Sequence, residues 1–349
     1  MENQGFCCHK QLFTNGRASP AKIESWRKAQ EPRRSSNMHK SSAMTDNTAR
    51  TKPIINENNT LQEYYHKLES RIGYRLVLGG TRHFGYYERD KYNPFPIGAA
   101  LQRMEDYLAK TLNLPPGSQV LDAGCGVGHV ALHLAKAHSL EIRGIDVVDH
   151  HIEKAMRNIE KQGMKARVTA EKMDYHHLEG IASNSLEGVY TMETFVHSTS
   201  PETVAREFYR VLKPGGRVAL FEYEHSVMSS EPMARVDSWS TINKYSAMPA
   251  FDRFTYGSIG SIFTDAGFTN VVTEDITIHV KPMVRFFFVL AYIPYLLVIA
   301  LGLQKHFVNT MAGVEGWKCR KSIKYVAVSA EKPMEIGSEL NSGESRKLK

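Results

Sequence analysis

The stretch that decides the fold is Val120-Leu121-Asp122-Ala123-Gly124-Cys125-Gly126-Val127-Gly128-His129. The apolar residues before the glycines predict a strand, and residues 130–137 have helical spacing, so the glycines form a strand-to-helix loop. Gly124 allows a tight turn, Gly126 lets the backbone approach a ligand, and Gly128 lets the helix pack near the strand. Such a loop is typical of a ligand-binding α/β domain.

The residues around this loop argue against a phosphate or dinucleotide site. No Lys-Ser or Lys-Thr pair follows the glycines, so a Walker A loop is excluded. Asp122 lies two residues before the first glycine. A carboxylate there repels a pyrophosphate but can hold the ammonium group of an amino acid.

On both sides of the loop, short apolar runs alternate with helical patterns. Strands are predicted at 119–122, 141–146, 166–172, 186–193, 217–223, 270–274 and 325–330. Helices are predicted at 130–137, 150–162, 201–212 and 258–266. Strands joined by helices form right-handed βαβ units. The sequence therefore predicts an α/β fold with a doubly wound, mostly parallel, seven-stranded Rossmann-like sheet.

Two further carboxylates follow predicted strands at the spacing of a nucleoside pocket. Asp146 ends the second strand, where a carboxylate can accept both ribose hydroxyls. Asp174 follows the third strand and is placed to accept a hydrogen bond from an adenine amino group. Together with the glycine loop, they predict a pocket for an amino acid joined to a nucleoside.

This set of motifs resembles the class I S-adenosylmethionine-dependent methyltransferases over about residues 95–275. A finer resemblance, to sterol 24-C-methyltransferases, tocopherol and ubiquinone C-methyltransferases and fungal natural-product methyltransferases, rests on residues 83–87, 101–108 and 190–197. The resemblance implies S-adenosylmethionine as cofactor. Its methionine end is expected at Asp122, Gly124 and Gly126, its ribose at Asp146 and its adenine at Asp174. Gly128 and Glu193 complete the expected cofactor contacts.

Candidate catalytic residues lie where doubly wound sheets bind ligands, at the ends of the strands. His197 is the leading candidate for a base, and Glu193 lies at the end of the strand before it. His83 and Tyr86 come from the predicted N-terminal lid. Each has an alternative interpretation: a hydrogen-bonded structural residue for His197, a cofactor contact for Glu193, and lid packing for His83 and Tyr86.

Neither the cysteines nor the histidine pairs predict a metal site. The four cysteines are too scattered for a zinc cluster or a disulfide framework, which indicates a reducing, cytoplasmic environment. The pairs at 150–151 and 176–177 have no cysteine or acid at ligand spacing on one face. Cys125 is interpreted as a small loop residue and not as a nucleophile.

Residues 286–303 are eighteen consecutive residues without a charge, within a predicted insertion at 284–304. Three interpretations stay open: a buried helical lid, a monotopic segment that dips into one leaflet, or a membrane span. Monotopic contact would place the protein on the endoplasmic reticulum or another lipid surface. A span is the least favoured, because the last predicted strand must rejoin the sheet.

The net charge of +7 is concentrated at the N-terminus. Residues 1–52 carry ten Lys or Arg against four acids, a net of +6, which leaves about +1 for the remaining chain. The predicted organisation is a disordered basic tail at 1–58, a helical lid at 59–117, the core at 118–332 and a disordered tail at 333–349. A neutral body argues against a nucleic-acid partner.

The predicted function is methyl transfer from S-adenosylmethionine to a lipophilic small molecule: a sterol, terpenoid, prenylated aromatic or polyketide-like metabolite. The aromatic residues that favour a lipophilic acceptor are Phe84, Tyr86, Tyr87, Phe95, Trp239, Tyr245, Phe251, Phe254 and Tyr256. Two alternatives remain open. One is a regulatory or scaffold protein that binds the cofactor without turnover, and the other is an RNA methyltransferase directed by the basic tail.

Overall fold

The computed structural model describes residue 58 and residues 60–66, 78–89 and 91–334. Apart from residues 58, 333 and 334, both predicted tails lie outside the described residues.

Seven strands form one sheet in the order β3-β2-β1-β4-β5-β7-β6. Their bounds are β1 Gln119–Ala123, β2 Glu141–Asp146, β3 Val168–Lys172, β4 Leu186–Met192, β5 Leu212–His225, β6 Thr269–Asp275 and β7 Ile323–Glu331. The first five run parallel, and β7 is antiparallel to both β5 and β6. The predicted doubly wound, seven-stranded sheet is confirmed.

Ten α-helices accompany the sheet within the described residues. They are α1 Thr60–His66, α2 Ile97–Leu112, α3 His129–Ala137, α4 Asp149–Lys161, α5 Pro201–Val211, α6 Val227–Ser230, α7 Met233–Tyr245, α8 Ser258–Asp265, α9 Thr277–Ala300 and α10 Val308–Lys318. Short 3-10 turns lie at Phe195–His197 and Phe251–Arg253.

The helices cover both faces of the sheet because each strand alternates its side chains between two apolar layers. In β5, Val218 and Leu220 enter one layer, whereas Ala219 and Phe221 enter the other. In α5, Phe208 is fully buried. Burying one such side chain stabilises the fold by about 1.5–3 kcal/mol.

Several helices differ from the sequence interpretation. α7 and α10 were not predicted, because their buried residues are few and stand among Ser, Thr, Asn and Gly. α2 belongs to the region predicted as a lid, but its buried face joins the core layer beside β1. Residues on both sides of the domain boundary predicted at 118 therefore pack in the same core layer.

The apolar insertion is also longer than predicted. α9 begins at Thr277, seven residues before the predicted start at 284. β6 precedes α9, β7 follows α10, and these two strands pair with each other. The chain therefore leaves the sheet and returns to it through a helical hairpin.

Candidate functional site

The β1–α3 loop has the backbone that the glycine pattern predicts. Gly124, Gly126 and Gly128 all have positive φ, at 101°, 53° and 79°. A Cβ on Gly124 would lie 2.6 Å from the Thr194 hydroxyl oxygen, and a Cβ on Gly128 would lie 3.4 Å from the Ala155 Cβ. A Cβ on Gly126 would meet no atom within 4 Å among the described residues. Gly126 is thus the position where a ligand can approach the backbone.

Asp122 lies at the end of β1 and is 3% exposed. Its Oδ2 atom is buried and has no hydrogen-bond partner in the described part of the chain. Burial, with the nearby charge of Asp146, raises the pKa of Asp122 to about 7. A buried carboxylate oxygen without a donor is suited to a cationic ligand group such as an ammonium.

Asp146 lies at the end of β2 and ties the glycine loop to the next helix. Its Oδ2 accepts hydrogen bonds from the Gly126 N–H at 2.9 Å and from His151 Nδ1 at 3.2 Å. Its Oδ1 accepts one from the Val148 N–H at 2.8 Å. Burial alone would raise the pKa of Asp146, but the charge and hydrogen bonds around it hold the pKa below its usual value. A carboxylate offers about four acceptor positions, so Asp146 keeps acceptor capacity for a ligand hydroxyl.

Asp174 follows β3 and is supported in a similar way. His176 Nδ1 lies 2.6 Å from its Oδ1, which also accepts the His176 N–H at 2.9 Å. The other ring nitrogen of His176 accepts the Thr199 N–H at 3.2 Å, so Nδ1 carries the proton. His151 and His176 were not predicted as site residues, although each lies within five residues of the acid that it supports.

Helix α1 lies over the pocket formed by these strand ends. Tyr65 and Leu61 of α1, together with Asp146 and Asp174, line a cavity of about 30 Å³. The Gln62 side chain donates a hydrogen bond to the Val147 carbonyl at 2.7 Å. α1 must therefore move for a ligand as large as a nucleoside to reach the strand ends.

His197 has both ring nitrogens engaged. Its Nδ1 donates to the Ala247 carbonyl at 2.7 Å, which leaves Nε2 to accept the Tyr65 hydroxyl at 3.0 Å. Burial lowers the pKa of His197 to about 4. Its ring lines the small cavity beneath α1 and not the large cavity described below, as far as the described residues show. This environment favours the structural interpretation of His197 over the catalytic one.

A second, far larger cavity of about 1080 Å³ adjoins the end of β4. Its walls are mainly apolar, and α9, α10 and α7 supply most of them. Aromatic residues that line it include Phe84, Tyr223, Trp239, Phe251, Phe287, Trp317 and Tyr325. Three residues from the predicted aromatic set, Phe84, Trp239 and Phe251, are therefore brought together here.

Glu193 is a half-buried carboxylate that faces this cavity from the end of β4. It accepts three hydrogen bonds: from the Phe84 N–H at 2.7 Å, from the Tyr325 hydroxyl at 2.8 Å, and from the Tyr223 hydroxyl. Burial raises the pKa of Glu193, although these donors and the charge of His83 oppose the shift. Three of its acceptor positions are used within the protein.

The two candidates from the predicted lid separate in the structure. His83 lines the large cavity, and its Nε2 lies 3.2 Å from Glu105 Oε1. Burial alone would lower the pKa of His83, but Glu105 raises it above the usual value. Tyr86 stacks on His279 with ring centroids 4.2 Å apart, and it is not among the described residues that line the cavity. Tyr86 therefore fits lid packing.

α9 presents apolar side chains on two sides. One side lines the large cavity, and the other is open: only 11% of its most apolar window is buried. The most exposed apolar residues on the open side are Val289, Ile293, Leu296 and Leu297. Within the described residues, α9 is the single helix long and apolar enough to cross a membrane, by length and composition. α9 therefore covers the large cavity as a lid on one side, but its apolar stretch is not buried as a whole.

The sheet order, the glycine loop and the three acids at adjacent strand ends define the class of S-adenosylmethionine-binding methyltransferase-fold proteins. A family model described as a methyltransferase domain matches residues 120–216. The S-adenosyl-L-methionine-dependent Diels-Alderase iccD of Talaromyces variabilis is 42% identical over 277 residues, covering 78% of this chain and 94% of that protein. The chain belongs to the S-adenosylmethionine-dependent methyltransferase family, and S-adenosylmethionine is its cofactor.

Two further relatives and one solved structure are informative. The S-adenosyl-L-methionine-dependent Diels-Alderase iliD of Neonectria sp. (strain DH2) is 44% identical over 63% of this chain and 86% of its own length. The sterol 24-C-methyltransferase erg6 of Aspergillus fumigatus is 33% identical over 47% of this chain and 42% of its own length. The crystal structure of the 4+2 cyclase SpnF has a TM-score of 0.64 at 24% identity, covering 79% of this chain and 96% of that one. This last likeness concerns the fold.

Proposed function

We propose that this protein catalyses an S-adenosylmethionine-dependent Diels–Alder cyclisation of a lipophilic polyene in the large cavity. The observation that carries the proposal is the chemistry of that cavity. It is large and mainly apolar, and its half-buried carboxylate, Glu193, already accepts three hydrogen bonds from the protein. The names of the two relatives above 40% identity support the same reaction class.

A Diels–Alder reaction suits such a cavity because it transfers no proton, hydride or methyl group. Two carbon–carbon σ bonds form as three π bonds become one, so the product is an isomer of the substrate. The protein holds the diene and the dienophile of the substrate in a reactive geometry. The entropy cost of ordering the flexible substrate is therefore met on binding and does not add to the activation barrier. The Tyr223 and Tyr325 hydroxyls, oriented by Glu193, fix the polar end of the substrate. When bound, the cofactor would supply a sulfonium charge, which can stabilise charge that develops in the transition state.

For the cofactor itself, we propose that Asp122 and the Gly124–Gly126 backbone hold the methionine end. Asp146 would accept a hydrogen bond from a ribose hydroxyl, and Asp174 would accept one from the adenine amino group. The orphaned oxygen of Asp122 and the open space at Gly126 support this assignment.

Methyl transfer to a lipophilic small molecule is the second candidate. It is supported by the sterol 24-C-methyltransferase relative, which has the same family fold and a lipophilic substrate class in its name. In this case a proton must leave the acceptor after C-methylation, and Glu193, which faces the cavity, would be the base in preference to His197.

The two candidates differ in product mass and in cofactor use. Full-length protein is incubated with a lipophilic extract from its source lacking the gene, together with S-adenosylmethionine, S-adenosylhomocysteine or sinefungin. Cyclisation predicts an isomer of a consumed metabolite, formed without S-adenosylhomocysteine release and supported by sinefungin, which carries a positive charge but no transferable methyl group. Methylation predicts a product heavier by one CH₂ and one S-adenosylhomocysteine per product. If the protein binds cofactor but changes no metabolite, the regulatory or scaffold alternative is favoured.

We also propose that the exposed side of α9 contacts a membrane surface in one leaflet. Arg285 and Lys305 flank its apolar stretch, and Arg320 lies 4.7 Å above the ring of Trp317 beside it. Cations and amphipathic aromatics around an apolar face are typical of the membrane interface. Because the other side of α9 lines the large cavity, this contact would place that cavity next to the bilayer.

A further inference from the structure

A cluster of metal-ligand side chains lies on the surface between α2 and α3, apart from both cavities. Asp106 Oδ1 lies 2.7 Å from His133 Nε2 and 2.9 Å from His138 Nε2. The three side chains are 50%, 20% and 34% exposed. One carboxylate oxygen and two imidazole nitrogens therefore point to the same small volume and remain open to solvent.

The spacing of these atoms suits a transition-metal ion. All three ligand atoms lie within 4.8 Å of one another. A tetrahedral Zn²⁺ with bonds of about 2.0–2.2 Å holds its ligand atoms roughly 3.3–3.5 Å apart, so small side-chain rotations suffice. Two imidazoles and a carboxylate, with the remaining positions taken by water, form a ligand set that zinc and neighbouring divalent ions accept.

A buried carboxylate supports one of these ligands from behind. Glu105 is 5% exposed, and its Oε2 lies 3.4 Å from His133 Nδ1, the ring nitrogen opposite the cluster. Metal-bound histidines characteristically donate their second N–H to a carboxylate, which orients the ring and increases its basicity. The site thus combines three solvent-accessible ligand side chains with a buried carboxylate, Glu105, that can orient one of them.

We propose that Asp106, His133 and His138 form a binding site for a divalent transition-metal ion, with Zn²⁺ as the reference ion and Glu105 as the carboxylate that orients His133. The ion would join α2 to the C-terminal end of α3. The sequence did not reveal the site because Asp106 lies 27 residues before His133 and 32 residues before His138.

The test is competitive titration of the full-length protein with Zn²⁺ against a chromogenic chelator. Asp106→Asn and His138→Asn each remove one ligand. The matched control is His177→Asn, because His177 faces one carboxylate, Glu179, at 3.4 Å. All other thiols and imidazoles stay the same, so a difference between variants reports this site.

We expect wild type and His177→Asn to bind the same number of zinc ions. Asp106→Asn and His138→Asn should each lose one ion, or bind it more than roughly 100-fold more weakly, since losing a supporting group alone costs about 10–100-fold. Zinc should raise the melting temperature of wild type and His177→Asn more than that of the two site variants. Equal stoichiometry, affinity and thermal shift in all four proteins would overturn the proposal.

Discussion

If Asp122 holds the ammonium group of the cofactor as proposed, it couples cofactor binding to pH. Its carboxyl has a pKa of about 7, and the ammonium of the cofactor favours the ionised form. Below that pKa a proton must leave before the cofactor binds, so the affinity should fall about tenfold per pH unit. Calorimetric titrations from pH 5.5 to 8 measure this slope.

The Asp122→Asn variant separates this effect from other titrating groups. Asn keeps the shape of the side chain but cannot ionise. The variant should therefore bind S-adenosylmethionine more weakly, and its affinity should no longer depend on pH below pH 7. A wild-type affinity that does not change between pH 5.5 and 7 would contradict the role assigned to Asp122.

Glu193 distinguishes the two candidate reactions. Removing a general base costs about 10²–10⁴-fold in rate, whereas a cyclisation has no proton to transfer. Glu193→Gln should therefore lower the rate of the proposed cyclisation by less than about 100-fold, through altered orientation of Tyr223 and Tyr325. Single-turnover rates measure this, and a loss near 10⁴-fold would favour methyl transfer with Glu193 as base.

At this scale, local sequence patterns located the three acids at strand ends but did not indicate the surroundings of His197. Asp122, Asp146 and Asp174 follow directly from strand ends and short spacing, which are local signals. The partners of His197 are remote: Tyr65 lies 132 residues before it and Ala247 lies 50 residues after it. Only the folded chain shows that both of its ring nitrogens are used.

At the scale of an element, the proposed membrane contact of α9 can be tested by substitution. Val289 and Leu296 are 67% and 47% exposed, so replacing both with Asp should leave the fold intact and place charges on the face proposed to contact lipid. The double variant should move from the membrane fraction to the soluble fraction in a flotation assay with anionic vesicles.

Met156→Asp is the matched control, because Met156 is an exposed apolar residue, 49% accessible, on a different helix. It should float with the vesicles as wild type does. If the α9 variant also floats, or if wild type does not, the membrane proposal fails.

The sequence identified the apolar part of α9 but not its first turns. The residues from Thr277 to Lys281 include polar side chains, and Pro282 follows, a pattern that also suits a loop. Packing of Val280 and Met283 against the sheet and lid keeps these turns helical. Tertiary contacts therefore determine where α9 begins, which local helix propensity did not determine.

At the scale of the whole molecule, buried acids set how stability depends on pH. Burial raises the pKa of Asp122 to about 7 and that of Glu222 to about 8. The folded state then retains protons that the unfolded state releases, so this contribution to stability is lost as pH rises through the folded pKa values. His197 acts with the opposite sign, since its folded pKa is about 4, but that gain is complete by about pH 6.5.

Without cofactor, the free energy of unfolding should therefore fall between pH 6.5 and 8, by about 2 kcal/mol at about 1.4 kcal/mol per pKa unit. Urea unfolding at several pH values measures this. The Asp122→Asn/Glu222→Gln double variant should give a flatter profile. A wild-type stability that rises with pH over this range would contradict the assignment.

The overall fold was predicted best from the sequence. Many local patterns, each weak, together indicate alternating strands and helices, and this alternation limits the possible topologies. The glycine loop and Asp122 then placed the ligand edge of the sheet. Local patterns could not predict the shared wall of α7, α9 and α10, because this cavity forms only when the α9–α10 hairpin packs near α7.

The contacts of α1 have a kinetic consequence. Gln62 and Tyr65 fasten this helix over the strand ends where the cofactor is proposed to bind. A methyltransferase spends its cofactor in every turnover and would have to release this helix each time, whereas a cyclase leaves the cofactor unchanged. Beneath α1, S-adenosylmethionine would serve as a prosthetic group, loaded once and retained for many turnovers, with a residence time set by the opening of one short helix.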